Sequence, residues 1–140
     1  MAEKILIVDD EVDMLALLKL IITEKTNYEV DTTNNPFEVM DLLKNGGYDV
    51  LIADLKMPGM DGIEVIEQSK NIDEYLPIIM ITAYGSTESA EEAIHKGAYD
   101  YITKPFRKEH ILITIDRAIE WRKMKREIHY LKEKSKGLNV

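Results

Sequence analysis

The sequence predicts an α/β fold, a doubly wound sheet of five parallel strands with helices on both faces. Three apolar runs without polar alternation, at residues 5–8, 50–53 and 78–81, are too short for ordinary helices. They suit strands buried on both faces, as in a parallel sheet covered by helices. Around them lie stretches whose apolar residues recur three and four apart, the spacing of amphipathic helices. Strand and helix patterns alternate five times, which implies right-handed crossovers and a parallel sheet.

In chain order, the first strand, Ile5-Leu6-Ile7-Val8, stops at Asp9-Asp10-Glu11, and Met14, Leu15, Leu18, Ile21 and Ile22 mark the first helix. Residues 28–32 alternate and read as an edge strand. Asn35-Pro36 opens the second helix, with Asn35 as cap, Pro36 at the first helical position, and Phe37, Met40 and Leu43 behind them. The run Val50-Leu51-Ile52-Ala53 ends at Asp54. The segment Met57-Pro58-Gly59-Met60-Asp61-Gly62 is a turn-rich loop, in which Gly62 is expected to take a backbone conformation closed to residues with a side chain. Ile63 and Ile66 begin a third helix, Ile78-Ile79-Met80-Ile81 runs into Thr82, and Ala90, Ala93 and Ile94 form a fourth helix that Gly97 stops. Residues 99–103 make the last strand, and from Glu109 a long helical pattern passes through Ile111, Ile115 and Ile119 toward Leu131.

A chain of 140 residues with 45% hydrophobic and 31% charged residues can bury a core without disulfides or structural metal. With no cysteine, a disulfide framework and a thiolate metal site are excluded, and a cytoplasmic location is expected. No signal-peptide core or spanning segment is expected. The net charge of -8 is unevenly spread: residues 1–116 carry 10 Lys/Arg against 23 Asp/Glu, and residues 117–140 carry 8 against 3. The acidic body disfavours a nucleic acid backbone, so no direct nucleic acid binding by this segment is expected.

In open sheets of this kind the site lies at the carboxyl ends of the strands, and polar residues stand there: Asp9 and Asp10, Asp54, Thr82 and Lys104. Three carboxylates brought together repel one another unless a cation joins them. Mg2+, a hard ion that takes a few protein oxygens and keeps exchangeable waters, is the natural candidate. Each residue taken singly has a plainer role, as helix cap, turn or solvated surface charge. Their joint placement at successive strand ends favours a site.

The Asp9-Asp10 pair, Asp54-Leu55-Lys56-Met57-Pro58-Gly59-Met60-Asp61-Gly62, Thr82-Ala83 and Lys104-Pro105-Phe106, in this order, resemble the response-regulator receiver family over about residues 3–121. The resemblance implies the flavodoxin-like strand order 2-1-3-4-5. It implies Asp54 as phosphoacceptor; Asp9, Asp10, Asp54 and the Lys56 carbonyl around Mg2+; Thr82, Ala83 and Lys104 on the phosphoryl oxygens; Thr82 and Tyr101 as the conformational switch; and a cis Lys104-Pro105 bond. Lys56 and Tyr84 occupy positions that tune dephosphorylation in the family, and Tyr84 is expected to shield the phosphoryl group. The three histidines have no ligand spacing and read as surface or packing residues.

The expected function is phosphoryl acceptance from a sensor histidine kinase on Asp54, with catalysis limited to the receiver's own phosphorylation and dephosphorylation. Thr82-Ala83-Tyr84-Gly85-Ser86 and residues 97–106 resemble most the receivers of nitrogen-regulator-type enhancer-binding activators. An output through an ATPase and a DNA-binding portion beyond residue 140 is therefore expected. Two other classes compete. One is a stand-alone relay or chemotaxis-type receiver that signals by docking, for which a monomeric product of the complete gene would speak. The other is a metal-dependent phosphatase, against which the lack of a substrate cap and of a second acid near Asp54 speaks. The receiver is expected over residues 1–121 and a linker or dimerisation helix over 122–140, protruding from about Arg117 to Lys134. Trp121, Met124, Ile128 and Leu131 are spaced 3, 4 and 3 apart as in a heptad seam, and a homodimer through this helix is the expectation against a merely amphipathic extension.

Overall fold

The structure, a computed structural model, describes residues 2–83 and 87–138. The elements are β1 (Lys4–Val8), α1 (Val12–Lys25), β2 (Glu29–Thr33), α2 (Val39–Gly46), β3 (Val50–Ala53), β4 (Lys56–Met57), β5 (Met60–Asp61), α3 (Gly62–Ile72), β6 (Ile78–Thr82), α4 (Thr87–His95), β7 (Asp100–Thr103) and α5 (Lys108–Leu138). Five strands form one sheet in the order β2-β1-β3-β6-β7, all parallel, which is the expected 2-1-3-4-5. A two-stranded antiparallel ribbon, β4 with β5, follows β3.

The unbroken apolar runs have their cause in two separate cores. Leu6, Val8, Leu51, Ala53, Ile78 and Met80 face one side, where Val39, Leu43, Val65, Ile66 and Ala93 cover them. Ile5, Ile7, Val50, Ile52, Ile79 and Ile81 face the other, under Leu15, Leu18, Ile22, Ile111, Ile115 and Ile119. Neighbouring side chains on a strand point to opposite faces, so a strand covered on both sides has no polar alternation to show.

Asn35 caps as expected, its side chain accepting from the Phe37 amide at 3.0 Å, but the chain first makes a 3-10 turn, Pro36–Glu38, before α2. Gly62 differs from expectation. Its φ is not positive; instead a Cβ there would overlap the backbone of Leu55, whose carbonyl accepts the Gly62 amide at 3.0 Å. Close approach requires this glycine, and the left-handed backbone belongs to Gly59, at φ 77°. Gly97, at φ 117°, ends the α4 region as expected.

α5 runs unbroken through residues 121 and 122 and past the body. Arg122 is buried, its Nη2 donating to Asp73 at 2.9 Å and its Nε to Asp49 at 3.3 Å. Among the described residues no helix is long and apolar enough to cross a membrane.

Candidate functional site

The parallel sheet delivers its strand ends to one edge. β1 ends at Val8 and leads into Asp9 and Asp10, β3 ends at Ala53 and leads into Asp54, β6 ends in Thr82, and β7 leads through Thr103 to Lys104. Thr82 and Thr103 stand opposite each other in register, and the Thr82 carbonyl accepts the Lys104 amide at 2.8 Å. The Lys104-Pro105 bond is cis.

These ends surround a cavity of about 500 Å³ lined by Asp10, Glu11, Asp54, Lys56, Met57, Pro58, Ala83 and Lys104. Asp54 is buried at its floor, with Oδ1 accepting the Lys56 amide at 3.0 Å and Oδ2 accepting the Lys104 ammonium at 3.1 Å. Asp9 is also buried; it accepts the Glu11 amide at 2.9 Å and the Lys104 ammonium at 3.4 Å. Asp10 is exposed at the rim. The turn after β3 makes Asp54 a short-range acceptor for its own chain, and the turn after β1 does the same for Asp9.

Burial, reinforced by the charge of Asp54, pushes the Asp9 carboxyl above its usual value, although the Glu11 amide and Lys104 pull the other way. Burial works against the Lys104 ammonium, but its bond to Asp54 and the charges of Asp54 and Asp9 outweigh that and hold its pKa above normal. Asp54 is the principal partner of Lys104, by distance and by this order of causes.

One ligand oxygen from each of Asp9, Asp10 and Asp54 falls within 4.8 Å of the others. The Lys104 ammonium bonds two of these carboxylates, Asp54 and Asp9, and the carboxylate donors are all hard oxygens. A small divalent cation of the Mg2+ type fits such a set, whereas a soft metal seeking sulfur or imidazole does not.

The expected residues are thus brought together at one edge. Ala83 lines the cavity, and Thr82 is fully buried at the end of β6. Tyr101 lies half-buried on β7 beside Met80 of β6, its hydroxyl pKa raised first by burial and then by the charge of Asp54. Lys56 is exposed on the cavity wall, in register with Asp61. Tyr84 lies outside the described residues. The histidines do not gather; His129 meets Tyr75, Nδ1 to hydroxyl 3.2 Å. The cluster of buried Arg122 with half-buried Asp49 and Asp73, near the opposite ends of the strands, had no signal in the sequence, because the partners of Arg122 lie 73 and 49 residues away.

The family model for the response regulator receiver domain matches residues 5–116. The chain is 34% identical over 128 residues to the regulatory protein AtoC of Escherichia coli (strain K12), covering 91% of this chain and 28% of that protein. It is 38% identical over 106 residues to the sporulation initiation phosphotransferase F of Bacillus subtilis (strain 168), covering 76% of this chain and 85% of that one. Among solved structures it resembles the beryllofluoride-activated NtrC4 receiver domain dimer, with TM-score 0.80, 35% identity and 85% and 98% of the two chains covered.

Proposed function

This chain belongs to the response regulator receiver family, and on that premise we propose that it accepts a phosphoryl group from a sensor histidine kinase on Asp54. The observation that carries the assignment is the Asp54 carboxylate at the cavity floor, already hydrogen-bonded to the Lys56 amide and the Lys104 ammonium. Transfer forms a bond between an Asp54 oxygen and phosphorus while the bond from phosphorus to the donor imidazole breaks. The protein's task is to position the groups and to stabilise charge on the equatorial oxygens.

Lys104 follows the charge: its ammonium, now on the Asp54 and Asp9 carboxylates, can turn to a phosphoryl oxygen with little movement. The Thr82 hydroxyl and the Ala83 amide are assigned to another oxygen. Asp9, Asp10, Asp54 and the Lys56 carbonyl would hold Mg2+, which when bound neutralises carboxylate charge and phosphoryl charge together. Thr82, at the end of β6, and Tyr101, on the adjacent strand β7, then bias the domain between two conformations.

The output follows from resemblance to AtoC, of which this chain spans 28%. We assign it to transcription control through portions of a longer protein. Self-association through α5 is the partner relation its exposed residues favour: Met124, Ile128 and Leu131 are 55%, 47% and 55% exposed, with Trp121 half-buried against Tyr99. A second reading, signalling by docking alone, is favoured by the sporulation phosphotransferase, 85% of whose length the chain spans.

The test of the phosphoacceptor is direct. With Mg2+ and acetyl phosphate, intact mass should show one added phosphoryl group, which peptide mapping locates to Asp54. Asp54→Ala should show none, and Lys104→Ala should gain it far more slowly. Equal incorporation by Asp54→Ala would refute the assignment.

A further inference from the structure

Away from the phosphoryl site, near the amino ends of β6 and β7, residues of α3, α5 and the turn after α4 border a second cavity of about 540 Å³. Cavities of roughly 300–1,000 Å³ take small-molecule ligands. Gly97 and Ala98 line this one with almost no side chain, and Tyr75, Tyr99 and Trp121 supply aromatic wall. The Tyr99 and Trp121 rings lie 5.7 Å apart, tilted at 56°.

The charge in this cavity is incompletely answered. Two ammonium groups stand over the Trp121 ring, Lys70 at 5.2 Å and Lys125 at 5.9 Å from its centre. Among the described residues neither forms an ion pair with a carboxylate. Glu74, the acidic residue of the lining, is exposed. Lys70 is half-buried, its stem running beside Gly97, where a Cβ would come within 3.4 Å of the Lys70 Cγ, and its Nζ donates to the Leu76 carbonyl at 3.1 Å. Burial, with the charge of Arg122 added, holds the Lys70 pKa below the ordinary 10.5 against the pull of Asp73 and Glu74. Lys104 and Arg122, the other cations drawn into the body, each hold carboxylates at hydrogen-bond distance. Lys70 has a neutral carbonyl and a ring face instead, so an anion beside it restores what burial takes.

We propose that this cavity binds a flat aromatic ring that carries an anionic group, the ring against Trp121 and the anion on the Lys70 and Lys125 ammonium groups. A mononucleotide and an aromatic carboxylate share that chemistry. The ring gains stacking contact with the indole, and the anion gains from charges that water screens only in part. The site is separate from Asp54, which stands at the carboxyl ends of the strands.

Trp121 is the chain's one tryptophan, so its fluorescence reports on the cavity directly. In EDTA, which leaves a phosphate no metal to follow to Asp54, adenosine monophosphate or benzoate should change that fluorescence saturably. Adenosine, the ring without the anion, and inorganic phosphate, the anion without the ring, should each bind at least about tenfold more weakly than adenosine monophosphate. Lys70→Met keeps the stem, removes the charge and should weaken binding about tenfold, and Lys125→Met, at an exposed position, about threefold. Both variants should still take up phosphoryl groups from acetyl phosphate with Mg2+, which shows them folded. Tighter binding of adenosine monophosphate assigns a nucleotide, and tighter binding of benzoate an aromatic acid. Adenosine or inorganic phosphate binding as tightly as adenosine monophosphate, or binding unchanged in both lysine variants, overturns the assignment. So does the lack of a saturable change with either probe at millimolar concentration.

Discussion

Asp54 and Gly62 differ in how they could be read. The polar residues of the site stand directly after apolar runs, so sequence alone brought Asp9, Asp10, Asp54, Thr82 and Lys104 to one edge once the strands were seen. Which of them touch was not legible, because the Lys104 contacts span 50 and 95 residues. Gly62 was legible as a needed glycine, but its reason is tertiary: the space for a side chain is filled by the Leu55 backbone. Backbone cannot rotate away as a side chain can, so Gly62→Ala should lower unfolding stability by about 2–3 kcal/mol. Gly59→Ala, at φ 77° and beside only the Phe37 ring, should lose about 1 kcal/mol. Urea denaturation of both variants measures this, and a neutral Gly62→Ala would contradict the close approach.

At the scale of elements, the helix that continues beyond the body is held by a buried arginine. Removing one partner of a buried pair leaves the other charge stranded, but Asp49 and Asp73 keep 23% and 31% side-chain exposure, so water recovers part of the loss. Arg122→Met should therefore lower stability by about 2 kcal/mol and speed amide exchange over residues 123–132. Burial raises the Asp73 carboxyl, yet the bond and charge of Arg122, with the Tyr75 amide and Arg126, outweigh it and hold the pKa below the ordinary 3.8. A carboxyl depressed on folding contributes stability that is present above its unfolded value and lost as pH falls through its folded one. Exchange protection of the helix should thus persist down to pH near 4 and fall below it, with a smaller acid response in Asp73→Asn. An identical acid profile in that variant would remove Asp73 from the account. The helix itself was legible from its periodicity, whereas its docking was not: Arg122 has no local partner that a sequence pattern could display.

Over the whole molecule, charge and topology set two poles. At the carboxyl ends of the strands three carboxylates converge, two of them on the Lys104 ammonium, while near the opposite ends Arg122 gathers Asp49 and Asp73. The first pole is short of positive charge, and residues 1–116 carry 13 more acidic than basic groups, so folding concentrates repulsion that the unfolded chain disperses. Two remedies can be told apart. General screening by salt acts on all surface charges and is shared by monovalent ions. A site acts only on a cation that fits three converging oxygens, and its stabilisation follows mass action, about 2.7 kcal/mol at a hundred times Kd. For a chain of this length that corresponds to a rise in Tm of roughly 5–10 °C. Millimolar Mg2+ should therefore raise Tm at constant ionic strength, and EDTA should reverse it. Asp10→Asn, which removes one exposed carboxylate, should be more stable than the parent in EDTA and respond far less to Mg2+. If Na+ at matched ionic strength stabilises the parent as well as Mg2+ does, or if Asp10→Asn keeps the full response, the carboxylate cluster is not a cation site.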